Sequence, residues 1–195
     1  MLQVDQKYNS SEFALIAVGS NVISPLGSPT ETVQKAMSLV AERLRADAVE
    51  SHLYSTPAFP AWAGPDFVNA VIRVPTTLQP AEILAQLHHI EAQAARTRTL
   101  RWGQRTLDLD LIGVGDYVCP DLPTYAYWRD LAPAAQAQLG PKQLILPHPR
   151  VQDRSFVLVP LADVAPDWVH PIAGLSVVQM RDARPDDEIR TVVRL

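Results

Sequence analysis

Arg101-Trp-Gly-Gln-Arg-Thr-Leu-Asp-Leu-Asp-Leu-Ile112 changes character at Leu107, from a basic loop to strict alternation. Leu107, Leu109 and Leu111 take turns with Asp108 and Asp110, the period-two pattern of a strand with one apolar face. Successive side chains on a strand point opposite ways, so both carboxylates leave from the same face, roughly 6.6 Å apart. Like charges so placed repel unless a cation lies between them. A hard ion such as Mg²⁺ is commonly held by one or two carboxylates plus substrate phosphates. Arg96, Arg98, Arg101 and Arg105 surround the start of this run in a chain of net charge −4, and guanidinium forks match phosphate oxygens two at a time. Carboxylates for a metal beside arginines for an anion point to a nucleotide triphosphate site. The plain alternative is a solvated edge strand with an acidic outer face.

Working outward, Phe13-Ala-Leu-Ile-Ala-Val18 is an apolar run that stops at Gly19-Ser20-Asn21 and reads as a buried strand entering a turn. Ser28-Pro29-Thr30-Glu31 opens a helix with a capping box and a proline at the first helical position. Val33, Met37, Val40 and Leu44 follow at helical spacing. Strands are expected over Val49 to Tyr54 and Phe67 to Val74, joined by a loop from Thr56 to Asp66. A second helix from Pro80 carries Ile83, Leu84, Leu87 and Ile90 on one face, and the strand through Asp108 and Asp110 ends at Val114. Residues 115–143 read as irregular with a short helix around Ala132 to Leu139. The apolar run Phe156-Val-Leu-Val159 and a terminal strand near Ile189 to Val193 complete the chain. The order βαββαβ predicts an α+β, ferredoxin-like fold: a largely antiparallel sheet with helices on one face, extra C-terminal elements and long loops. Its opposite face is then free for a site or for added elements.

Bulk properties narrow the function classes. A chain of 195 residues is expected to form one domain spanning 1–195, with residues 1–11 flexible and 115–143 an extended insertion. No apolar run reaches the ~20 residues needed to cross a bilayer, and Met1 to Ser11 lacks the apolar core of a signal peptide. The lone Cys119 cannot pair within the chain, which suits a reducing cytoplasm. A pI near 5.7 argues against a broad basic face for nucleic acid or membrane. A monomer is expected, with a dimer left open. No Gly-rich loop of the Walker type is present, so side chains must hold any phosphates. His88 and His89 are adjacent on a helix and point in different directions, which disfavours a shared metal.

Several segments together resemble one enzyme family, the 6-hydroxymethyl-7,8-dihydropterin pyrophosphokinases. They are Ala17-Val-Gly-Ser-Asn21, Tyr54-Ser-Thr-Pro57, Phe67-Val-Asn-Ala70, Ile90-Glu91 with Arg96-Thr-Arg98, Arg101 through Asp110, and Pro147-His-Pro-Arg150 with Arg154-Ser-Phe156. The resemblance implies transfer of pyrophosphate from ATP to the pterin hydroxymethyl group, with release of AMP, in folate biosynthesis. Asp108 and Asp110 would hold two Mg²⁺ ions. Arg96, Arg98 and Arg105 would join them in catalysis. Glu91, Arg101, Trp102, Leu111, His148 and Arg154, with the three catalytic arginines, would contact ATP. Phe67 and Phe156 would sandwich the pterin, with Asn69 and Thr56 on its hydrogen-bonding edge and Pro57, Ala58 and Phe59 alongside. A flat heteroaromatic ring suits two aromatic faces, and an amide can both donate and accept. Phosphoryl transfer rests on positioning and charge neutralisation, and a lid over Thr56 to Asp66 and Ala94 to Arg101 would exclude water.

Three positions depart from the family's usual residues: Ala95 stands where glycine is expected before the first loop arginine, Gln104 where proline is usual, and Ala58 where a second proline follows Thr-Pro. The segment from Gly115 to Gln143 is longer than usual and carries Tyr125, Tyr127 and Trp128, either to pack over the nucleotide side or to form a partner surface. Two rivals remain. One is a catalytically idle MgATP-binding paralogue with a regulatory role; the other is a nucleic-acid-binding ferredoxin-like module, disfavoured by the acidic balance.

Overall fold

The structure, a computed structural model, describes residues 13–58, 64–95, 105–132, 135 and 138–195. Strand β1 (Phe13–Ser20) is apolar from Phe13 to Val18, and each of its residues is buried or half-buried. It lies between β4 (Phe67–Pro75) and β5 (Asp108–Val114), antiparallel to each. Strands β2 (Val49–Glu50) and β3 (Tyr54–Thr56) both pair with β4, and the C-terminal β6 (Val193–Arg194) adds to β3. Among the described residues the sheet order is β5-β1-β4-β3-β6, with every pairing antiparallel. The expected ferredoxin-like arrangement is therefore present.

Alternation along the strands sorts the core into two layers. Ala14, Ile16, Val18, Ala70, Ile72, Val74, Leu109 and Leu111 face helices α1 (Pro29–Leu44) and α2 (Pro80–Gln93). Helix α1 begins as its sequence predicts: the Ser28 side chain caps the Glu31 N–H, and the Glu31 carboxylate accepts from the Ser28 N–H at 2.8 Å. On the other face, Leu15, Val71 and Ile112 meet α4 (Ser155–Val164), Trp168 and α5 (Val177–Asp182). These added elements cover only part of that face. The part left open holds the pocket described below.

Two local expectations need correction, and two further segments gain definition. The strand expected over Val49 to Tyr54 is interrupted, because the Ser51 hydroxyl accepts the Val71 N–H at 2.9 Å in place of a backbone carbonyl. The apolar run at Phe156 to Val159, assigned no element from its sequence, is helical within α4: four consecutive apolar residues fit either period, and burial against the sheet selects the helix. The strand expected near Ile189 starts only at Val193, since Asp186, Asp187 and Glu188 favour the N-terminal turn of a helix, α6 (Asp186–Arg190). Residues 115–143 also hold a helix that was not expected, α3 (Leu122–Arg129), capped by Asp121, whose carboxylate accepts the Thr124 N–H at 2.7 Å. The helix expected around Ala132 to Leu139 lies partly outside the described residues; one helical bond is seen, from the Leu139 N–H to the Ala135 carbonyl.

Tyr125 fastens this long segment to the C-terminal layer. It is 2% exposed, and its hydroxyl lies 3.2 Å from His170 Nε2. His170 Nδ1 accepts from the N–H groups of Ile172 and Ala173, so the neutral ring carries its proton on Nε2 and donates to Tyr125. Trp168 adds a bond from its indole N–H to the Gly115 carbonyl at 2.8 Å. Burial, helped by the Arg129 cation, lowers the His170 pKa to about 4. The unfolded chain takes up this proton near pH 6.5 and the folded chain only near pH 4. The stability contributed is therefore complete above pH 6.5 and is lost as pH falls towards 4. Wild type should lose more stability than His170→Gln across that window in urea melts; parallel curves would refute the buried neutral histidine.

Candidate functional site

The pocket lies where three strands end side by side. Register places Asp108 of β5 beside Gly19 of β1, and Gly19 beside Asn69 of β4; Ala17 stands next to Asp110. The central strand thus offers only small side chains between an acidic strand and an amide-bearing one. A Cβ built on Gly19 would lie 2.9 Å from Asn69 Oδ1, so glycine is what lets the amide occupy its place.

The turn after β1 fixes the approach to β5. The Arg105 N–H donates to Asn21 Oδ1 at 2.8 Å, the Asn21 N–H donates to the Arg105 carbonyl, and the Ser20 hydroxyl donates to the Thr106 carbonyl at 2.7 Å. Asn21 also donates its side-chain amide to the Pro65 carbonyl. Ser20 and Asn21 are buried. Their role as a clamp on two distant segments was visible in the sequence only as a turn.

Strand β5 then presents Asp108 and Asp110 to the pocket while Leu107, Leu109 and Leu111 enter the core. Arg105 pairs with Asp108. Arg154 Nη1 lies 3.1 Å from Asp110 Oδ2, and its guanidinium stands 5.7 Å from the Phe156 ring. These ion pairs are part-exposed, and such pairs are worth about 0–1 kcal/mol each. Arginines held so weakly can exchange a carboxylate for a phosphate, and the carboxylates can exchange an arginine for a metal.

The opposite wall is apolar with one polar edge. Phe67, Phe156, Pro57 and Val157 line it together with Asn69 and Thr56. Asn69 donates to the Thr56 hydroxyl at 2.7 Å, which sets the orientation of the amide. One side of the pocket can therefore receive metal and anion, and the other a flat ring with hydrogen-bonding groups.

Other expected site residues lie elsewhere. Glu91 is 4% exposed, and its carboxylate accepts the Leu109 N–H at 2.9 Å. Among the described residues β5 is an edge strand, and Glu91 satisfies this N–H between the two aspartates rather than lining the pocket. The Leu111 side chain sits in the helix-covered core, leaving only its backbone for a ligand. Ala58 is buried and does not line the pocket. His148 is anchored beyond the pocket wall by its N–H to the Ile112 carbonyl at 2.7 Å. Burial, with the Arg154 and Arg150 cations, holds its pKa well below the ordinary value. Its Nδ1 accepts the Arg150 N–H, so the neutral ring offers an Nε2–H donor.

Phe59, Arg96, Arg98, Arg101 and Trp102 lie outside the described residues, as does Met1 to Ser11. Ala95, the last described residue before Arg96, has φ +52°. A left-handed conformation costs a residue with a Cβ roughly 1 kcal/mol, which explains why glycine is expected there. No described residue of 115–143 lines the pocket. Among the described residues, no helix is long and apolar enough to cross a membrane.

A family model described as 7,8-dihydro-6-hydroxymethylpterin-pyrophosphokinase matches residues 15–166. A protein of Pseudomonas aeruginosa named 2-amino-4-hydroxy-6-hydroxymethyldihydropteridine pyrophosphokinase is 40% identical over 155 residues, covering 78% of this chain and 80% of that one. A Synechocystis protein of the same name is 35% identical over 171 residues, covering 86% and 73%. The solved structure of a triple mutant of Plasmodium falciparum HPPK-DHPS matches 91% of this chain with a TM-score of 0.63 at 14% identity. This chain spans 45% of that one, and the likeness concerns the fold.

Proposed function

The chain belongs to the 7,8-dihydro-6-hydroxymethylpterin-pyrophosphokinase family, and on that footing we propose that it transfers pyrophosphate from ATP to 6-hydroxymethyl-7,8-dihydropterin. The hydroxymethyl oxygen attacks the β-phosphorus, the bond from that phosphorus to the α–β bridging oxygen breaks, AMP departs with this oxygen, and the hydroxyl proton is released. The product feeds folate biosynthesis. The observation that carries the reading is the pairing of the two walls across Gly19 and Ala17: two carboxylates with two arginines on one side, two aromatic rings with an amide on the other.

Asp108 and Asp110 fit Mg²⁺ in donor type and placement, being hard oxygens on one face of one strand. Among the described residues no group of three or more His, Cys, Asp or Glu side chains converges on a metal, so substrate oxygens would complete the shell, for two ions. When bound, the metal supplies charge neutralisation to the phosphates. Arg105 and Arg154 leave their aspartates for phosphate oxygens, and His148 offers Nε2–H. Phe67 and Phe156 hold the pterin between them; Asn69 and Thr56 read its edge, with Pro57 beside the ring. Arg96, Arg98, Arg101, Trp102 and Phe59 extend the ATP and pterin contacts by resemblance. The whole chain acts as one domain, and the lone cysteine supports a cytoplasmic setting.

The reading is tested by AMP release from ATP and Mg²⁺, with and without 6-hydroxymethyl-7,8-dihydropterin. One AMP per pyrophosphorylated pterin is the expected result. MgATP binding without pterin-dependent AMP would replace it with the idle, regulatory paralogue.

A further inference from the structure

Residues 167–195 lie beyond the span matched by the family model, yet they grip both flanks of the pocket. On one flank β6 pairs Arg194 with Tyr54 and Val193 with Ser55, bracing the strand that delivers Thr56 and Pro57. On the other, Glu188 of α6 reaches the first residue of α4. The buried Ser155 hydroxyl donates to Glu188 Oε2 at 3.0 Å. Arg184 fixes that carboxylate with bonds from Nη2 to Oε1 at 2.9 Å and to Oε2 at 2.7 Å. These contacts, the Arg184 hydrogen bond foremost, hold the Glu188 carboxyl below the usual carboxylate range.

Helix α4 needs outside help at this end. Its N-cap, Arg154, makes no side-chain cap, and its first turn holds no acidic residue. Yet Arg154, Phe156 and Val157 all line the pocket from these few residues. An unsecured helix start frays, and here fraying would move one guanidinium and one aromatic wall together.

We infer that Glu188, held by Arg184, is a positioning residue of the pterin pocket, acting through Ser155 to fix the start of α4 and so to aim Phe156 and Arg154. The inference rests on the pterin reading for what the pocket binds, but the brace itself does not.

Two measurements on Glu188→Ala, Glu188→Gln and the exposed control Asp186→Ala separate these levels. Amide hydrogen exchange of residues 156–158 should rise roughly tenfold in Glu188→Ala and stay at the wild-type rate in Asp186→Ala. Calorimetry with 6-hydroxymethyl-7,8-dihydropterin and a non-hydrolysable MgATP analogue should show the pterin Kd raised about three- to tenfold in Glu188→Ala, since small displacements of positioning groups carry costs of this order or more. Glu188→Gln keeps an acceptor for Ser155 and should recover most of the loss. A merely structural role would lower the melting temperature without changing the affinity of the folded protein. Unchanged exchange at 156–158, or raised exchange with unchanged pterin Kd, overturns the inference. If wild type bound no pterin, the function proposed above would fail instead, and exchange would still decide the brace.

Discussion

Asp110→Ala is expected to abolish pterin-dependent AMP release, by at least about 10³-fold, while the protein stays folded; removing one preorganised charge-stabilising group from a site commonly costs about 10²–10³, and loss of a metal that this carboxylate would hold adds to that cost. The fold tolerates the change because the carboxylate is part-exposed on an edge strand and its pair with Arg154 contributes about 0–1 kcal/mol. Its apolar neighbours Leu109 and Leu111 still anchor β5 in the core. The substitution also frees Arg154, so affinity for metal-free ATP should hold or rise while the added affinity conferred by Mg²⁺ disappears. Asp108→Ala should behave in the same way through Arg105. Titration of ATP with and without Mg²⁺, beside the AMP assay, checks both halves. Turnover like wild type in Asp110→Ala would sink the metal assignment.

The acidic wall of the pocket was legible in the sequence because its pattern is local. Alternation from Leu107 to Leu111 specifies both strand and facing, and tertiary structure had only to supply a core for the leucines. The capping box at Ser28 is local too. Phe156 to Val159 carries no polar residue to betray a period, so only packing against Leu15 and Val71 shows it helical. The bond from the Leu109 N–H to Glu91 was hidden in the sequence, because nothing local reveals that β5 leaves a donor to satisfy there. The link from Arg184 through Glu188 to Ser155 spans about thirty residues and leaves no periodic trace. The α3 cap is the instructive exception: Asp121-Leu-Pro-Thr124 has an N-cap residue and an early proline, a signal present in the sequence and passed over.

Asn69 joins the legible and the illegible parts of the site, and its removal should separate the two substrates. In Asn69→Ala the pterin loses an amide able to donate and accept at its edge, in a pocket where water is a poor substitute. An unpaired buried polar group costs about 1–3 kcal/mol, so pterin affinity should fall roughly ten- to a hundredfold. MgATP affinity should stay within about twofold, because Asp108, Asp110, Arg105 and Arg154 stand on the other side of Gly19. Stability should drop by about 1 kcal/mol, since the buried Thr56 hydroxyl loses its donor. Gly19→Ala gives an independent check that leaves residue 69 unsubstituted: its new Cβ would meet Asn69 Oδ1 at 2.9 Å and push it aside. Both variants should therefore weaken the pterin and spare the nucleotide in paired calorimetric titrations. Equal loss of both ligands would mean that the strand ends had come apart, and the amide would no longer count as the reader of the pterin edge.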